Sequence, residues 1–245
     1  MENYFTLSFL QAVSDWQRGG DAKQMLRRAQ ALKSECASLP ECYRTCLLVC
    51  YRQIALPNGG VWDLIGENRL SEKISSWTLD LEVAKGFKGG VPPDGQGFQG
   101  TILSLYPPPG SVIVNLWKLY QDPAFIGSME KNKAHIAGYH DGSGCYKNIQ
   151  SEVVLEIDAV TQEDIYSLGG HSSPFEELVA LAADLVYRRQ TTPEERRALC
   201  LAAEKAGVEA GPTWLNMDAT RRVLARTKPQ AAVLAEIKSR QENRH

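Results

Sequence analysis

The run TCLLVCYRQIAL, residues 45–56, is apolar except for one basic interruption at Arg52, and it stops at PNGG. At least its second half reads as a buried strand. A guanidinium inside such a strand is costly unless a carboxylate or an anion meets it. Any fold of this chain must therefore bring a negative group to Arg52, either from the protein itself as a structural ion pair or from a ligand.

The surrounding pattern mixes helices and strands. Phe5, Phe9, Val13 and Trp16 recur at helical spacing, as do Met25, Leu26, Ala29 and Leu32, with Gly19-Gly20 between the two sets. Residues 61–75 are expected to be helical. In SSWTLDLEVAKGF, Ser76 or Thr78 could cap a helix carrying Leu81, Ala84 and Phe87. GTILSLYPPPGSVIVNLWKLY reads as two strands split by a proline-rich turn, and VVLEI (153–157) as a third, after the loop AGYHDGSGCYKN. Phe175–Arg189 reads as one helix. Thr192-Pro-Glu-Glu195 has capping-box spacing and announces another, and two more basic helices close the chain.

Several classes are disfavoured by the same reading. No apolar run approaches the roughly 20 residues of a membrane span. The start MENYFTLSFLQAVSDW has Glu2 in place of a basic leader and no unbroken apolar core, so a cytoplasmic protein is expected. The six cysteines form no C-x-x-C pairs and the four histidines are scattered, which points to reduced thiols and no metal. Cys42, Cys46 and Cys50 could line one helix face. GQGFQG (95–100) spells a dinucleotide-binding fingerprint, but VPPD precedes it and the strand-like TILSLY follows. A helix N-terminus for a pyrophosphate is missing, so a loop or hairpin is expected.

Charge is unevenly spread. Residues 1–184 carry 15 Lys/Arg against 22 Asp/Glu, whereas 186–245 carry 12 against 7. The C-terminal helices could face an acidic partner or nucleic acid, or simply be solvated. A division follows into residues 1–185 and a basic helical extension, 186–245.

Gln150 and Glu152 stand two residues apart at the entrance of the VVLEI strand, where period-2 geometry would put both on one face. Taken singly, Glu152 could be a solvated strand end, and Ser76 and Thr78 mere caps. Taken in order, Arg on an early strand, Ser-x-Thr before LDLEVAKGF and Gln-x-Glu before VVL resemble the Arg–Ser–Glu class of mono-ADP-ribosyltransferases, over about residues 45–185. CYRQI looks like that family's first strand, SSWTLDLEVAKGF like its Ser-Thr-Ser segment and QSEVVLEI like its catalytic strand. Trp77 departs from the small hydroxyl residue often found between the two hydroxyls, which would alter the pocket wall.

The resemblance implies an α+β fold of two packed, mostly antiparallel sheets around an NAD+ cleft, with flanking helices and the helical C-terminal extension. It implies NAD+ consumed as a substrate, without a metal. Glu152 would stabilise the oxocarbenium-like sugar. Arg52 would grip a phosphate or ribose, Ser76 would orient Glu152, and Thr78 and Tyr51 would support the NAD+ site. Phe87 or Tyr106 would stack on nicotinamide. Gln150 would contact the acceptor, with Tyr139 and Tyr146 beside it. By the same analogy, Gln-x-Glu argues against arginine and for an asparagine or glutamine side chain or a nucleic-acid base. The expected acceptor is RNA or DNA, with protein the alternative, and an intracellular toxin would call for an antitoxin-like partner. A plain NAD+ glycohydrolase and a non-enzymatic binding module, with Arg52 and Glu152 paired in its core, are the rival readings.

Overall fold

In the computed structural model, residues 4–207 and 210–242 are described. They form an α+β chain whose elements are, in order, α1 (Leu7–Gln17), α2 (Ala22–Cys36), β1 (Cys50–Pro57), α3 (Asn58–Glu67), β2 (Leu70–Ser71), β3 (Ile74–Thr78), α4 (Leu81–Gly86), β4 (Phe98–Leu105), β5 (Val112–Asn115), α5 (Leu116–Leu119), α6 (Pro123–Asn132), α7 (Ser143–Tyr146), β6 (Glu152–Glu156), β7 (Ala159–Val160), β8 (Ile165–His171), α8 (Phe175–Tyr187), α9 (Pro193–Lys205), β9 (Pro212–Trp214) and α10 (Met217–Glu242). The chain divides into two compact units. One holds the chain up to Gln53, Asn68–Ala84 and Leu103–Asp164. The other holds Ile54–Glu67, Lys85–Ile102 and everything from Ile165 on. The expected boundary at residue 185 is not where these units divide, because the C-terminal helices share a unit with two earlier segments.

In the first unit the strands run in the order β5-β6-β3-β1, with antiparallel neighbours. β6 is buried on both faces through Val153, Val154 and Leu155, which explains its unbroken apolar run. Helix α1 starts where the Thr6 hydroxyl accepts from Phe9 N, and α2 starts at a capping box of Asp21 and Gln24. Their apolar stripes, Phe9, Leu10, Val13 and Leu32 among them, join Val114, Phe125 and Val154 in one core. The Phe5 and Phe125 rings meet edge-on at 5.4 Å.

In the second unit, β4, β8 and β9 are neighbours in that order, and β8 and β9 pair antiparallel. Helix α10 packs on α3, and Lys238 Nζ reaches Glu67 at 2.9 Å and Asp63 at 3.3 Å. Thr192 and Glu195 form the capping box that starts α9. Gly95 and Gly97 both take φ of +76° and lead straight into β4, so the glycine-rich hexapeptide is a loop.

Two local expectations are corrected. The helix expected over 61–75 ends at Glu67, and its tail becomes β2 and β3. Five consecutive residue pairs, from Ile74↔Glu156 to Thr78↔Glu152, draw β3 into the sheet and override its local preference. Ser76 and Thr78 therefore sit in a strand, and Asp80 takes the capping role, its Oδ1 accepting from Glu82 N at 2.8 Å. Cys42, Cys46 and Cys50 do not share a helix face. Cys42 lies in a 3-10 turn, Cys46 in a loop and Cys50 at the start of β1.

Candidate active site

Glu152 opens β6 directly opposite Thr78 of β3. Ser76, two residues along β3, shares that face and lies diagonally across from Glu152, within side-chain reach. Its Oγ donates to Glu152 Oε1 at 2.5 Å. A second donor reaches the same oxygen from α1, where Trp16 Nε1 lies 2.7 Å away. Oε2 has no hydrogen-bond partner among the described residues, although Glu152 is only 4% exposed. Burial pushes the Glu152 carboxyl above its ordinary value, against the opposing hydrogen bonds from Ser76 and Trp16 and the nearby Gln17 amide.

Trp77 does not help wall this face. Alternation turns it to the opposite side of β3, where its indole donates to Ser75 Oγ at 2.9 Å and the ring is fully buried. The position between the two hydroxyl residues is thus occupied by a core residue. Thr78 accepts from Asp80 N at 3.0 Å and so shapes the turn from β3 into α4. Tyr51 of β1 pairs with Thr78 and is half-buried.

Arg52 and Glu152 are not partners. Arg52 Nη1 donates to Ser76 O at 2.9 Å, and Nη2 lies 3.9 Å from Glu72 Oε2, long for a charge-assisted bond. Its Nε is buried without a hydrogen bond among the described residues. Burial lowers the guanidinium's proton affinity and Glu72 opposes that effect. The negative group demanded by the sequence is therefore Glu72, loosely engaged, which leaves donor capacity on Arg52.

Gln150 corrects the reading of a shared strand face. The strand begins at Glu152, and Ser151 has φ of +45°, a left-handed conformation that costs a non-glycine residue about 1–2 kcal/mol. Gln150 is half-buried in the preceding turn, so its direction is not set by the period of β6. Lys147 is also left-handed, with φ of +43°. Two residues with positive φ thus lie within five positions of the carboxylate.

Tyr139 is buried and its hydroxyl donates to Glu130 Oε1 at 3.3 Å. It lines a cavity of about 220 Å³ together with Tyr120, Met129, Ser143, Lys147 and Asn148. Tyr146, at the end of α7, is half-buried and does not line that cavity. Phe87 belongs to the second unit, 44% exposed, with the Lys88 ammonium 5.8 Å from its ring centre. Tyr106 is exposed in the first unit. Among the described residues no three His, Cys, Asp or Glu side chains gather as metal ligands, and no helix is long and apolar enough to cross a membrane.

Sequence reasoning missed the contribution of α1. Trp16 entered only as part of an apolar stripe. Gln17, next to it, accepts from Tyr120 Oη at 2.8 Å and Ser143 Oγ at 3.0 Å, and donates to Lys147 O at 3.1 Å. A tryptophan at helical spacing carries no local sign that its N–H will meet a carboxylate 136 residues away.

No family model matches this chain, and neither does any curated protein or solved structure. Fold and geometry define it as an α+β protein whose antiparallel strands bring Ser76 to a buried carboxylate, with Arg52 gripping the Ser76 backbone.

Proposed function

We propose that this chain is a mono-ADP-ribosyltransferase with an ADP-ribosyltransferase-like arrangement of sheets, which cleaves NAD+ and transfers ADP-ribose to a nucleic-acid base. The observation that carries the proposal is the Ser76–Glu152 hydrogen bond of 2.5 Å, which holds one carboxylate oxygen and leaves the other uncommitted. As the bond between ribose C1′ and nicotinamide breaks, nicotinamide leaves with the bonding electrons and positive charge grows on the sugar. A fixed carboxylate facing that charge lowers the barrier without itself reorganising. The spare donors of Arg52 suit a phosphate or ribose oxygen of NAD+. Gln150, outside the strand, offers an amide to the acceptor's edge. The exposed arginines Arg221, Arg222 and Arg226 on α10 suit a polyanionic acceptor. Such an activity in the cytoplasm fits a toxin or effector restrained by an antitoxin-like protein.

A second reading, Glu152 as a structural carboxylate that ties α1 to the sheet, is favoured by its 4% exposure. One experiment separates them. Purified chain is incubated with NAD+ labelled in the adenylate and with total cell extract, treated or not with nuclease. The expected result is nuclease-sensitive label, with nicotinamide release falling about 100- to 1,000-fold in Glu152→Gln. Protease-sensitive label would move the acceptor to protein, and nicotinamide release without label would leave water as the acceptor. Equal, background nicotinamide release from both proteins would establish the structural reading.

A further inference from the structure

Two hydrogen-bond donors converge on one oxygen of Glu152 from different layers of the fold. Ser76 comes from the neighbouring strand at 2.5 Å and Trp16 from helix α1 at 2.7 Å. A glutamate's terminal torsion is broad, so one donor leaves the carboxylate plane free to swing about that contact. Two donors in different directions fix it. The indole is 3% exposed, so water does not compete for Oε1 from that side. Oε2, with no partner among the described residues, is then the oxygen left to meet a positive charge.

We propose that Trp16 is a positioning residue: its indole N–H, together with the Ser76 hydroxyl, pins Oε1 of Glu152 and thereby commits Oε2 as the oxygen that faces the cationic sugar. This rests on the NAD+-cleaving reading of the site. The neighbouring residue strengthens it independently, because Gln17 grips Tyr120, Ser143 and the carbonyl of Lys147, just upstream of the carboxylate. The end of α1 thus holds both the carboxylate and the strained segment that delivers it.

The surroundings make the N–H matter for charge as well as direction. Ser76 and Thr78 face Glu152 from β3, and Trp16 and Gln17 from α1, all of them neutral. Tyr120, the titratable group that senses Glu152, is a phenol pushed up by burial and carries no charge at neutral pH. Arg52 turns to Ser76 O and Glu72. With no cation paired to it among the described residues, the carboxylate depends on neutral donors to stay ionised. Deleting one of them favours the protonated form, so the acid limb of the activity profile moves to higher pH.

The test uses the full chain and Trp16→Phe, which keeps an aromatic ring in the core and removes the N–H. Expected are a drop in kcat of about ten- to a hundredfold with little change in KM for NAD+, and an acid limb displaced upward. The indole proton resonance of Trp16, assigned by its absence from Trp16→Phe, should shift with pH in the wild-type chain and stop shifting in Glu152→Gln. A wild-type kcat and pH profile in Trp16→Phe would overturn the proposal, as would an indole resonance indifferent to Glu152→Gln. If that resonance tracks Glu152 in a chain that releases no nicotinamide, the grip on Oε1 stands and the proposed reaction falls. Should Trp16→Phe fail to fold, the resonance in wild type and Glu152→Gln still decides the contact.

Discussion

Arg52 donates from Nη1 to the carbonyl oxygen of Ser76 at 2.9 Å, so the residue whose hydroxyl holds Glu152 is itself held by the guanidinium. A lysine ammonium at this position is a point charge without the planar fork, and it cannot hold Ser76 O while gripping a phosphate in a bidentate pair. Arg52→Lys is expected to weaken NAD+ binding about tenfold or more, read by calorimetry. Unchanged affinity would remove Arg52 from the NAD+ site.

Gln150 sits in the turn before Ser151 and outside β6, and it is not among the groups that hold Glu152. Gln150→Ala should therefore leave nicotinamide release within about twofold while acceptor labelling falls about tenfold or more. Both products are quantified in the same reaction. A parallel loss of the two would place Gln150 in NAD+ binding.

Stability and the proposed activity should oppose each other at Glu152. Its folded-state carboxyl is raised above the ordinary value of 4.5 by burial. The native state therefore keeps its proton to higher pH than the unfolded chain. That contribution to stability is complete below 4.5 and is lost as pH rises through the folded value. Glu152→Gln carries no such loss, so its Tm should exceed that of wild type near neutral pH. The gap should close at about pH 4. A difference independent of pH would assign the effect to packing.

The Sγ atoms of Cys46 and Cys50 lie 3.9 Å apart. The hydrogen bond from Cys50 is the main cause that lowers the Cys46 thiol to about 6, while Cys50 is pushed up by the same contact and by burial. Cys36 is pushed up to about 12, chiefly by burial. Iodoacetamide at neutral pH should label Cys46 ahead of the more exposed Cys42 and Cys145, with Cys36 protected until unfolding. Peptide mass spectrometry gives the order. Cys42 labelling first would mean that exposure, not thiolate character, governs reactivity here.

Helix α10 approaches α3 so closely that a Cβ on Gly66 would stand 2.5 Å from the carbonyl oxygen of Ala231. Alanine favours an isolated helix by up to about 1 kcal/mol, but here it must displace backbone. Gly66→Ala is expected to destabilise the chain by about 1–3 kcal/mol, measured by urea denaturation. An unchanged midpoint would show that the two helices separate without cost.

Much of the local structure was legible in the residues themselves. The Thr192 capping box, the glycine break between α1 and α2, and the strands at Cys50–Pro57 and Glu152–Glu156 follow from propensity and periodicity, which act over a few neighbours. Arg52 and Glu152 stood out because a charge inside an apolar run, or at its mouth, needs a partner wherever the chain folds, whereas Ser76 stood out only through the resemblance of its segment. Their partners were another matter. Ile74–Thr78 became a strand because β6 lay beside it, and the left-handed turn at Ser151 took Gln150 out of the alternation expected of it. Trp16 met Glu152 from 136 residues away because α1 is buried over the sheet face that Val154 shares. The short-range terms are written in adjacent residues. Which donor meets a buried acceptor depends on how helices and strands pack, and only the folded chain brings those distant groups together.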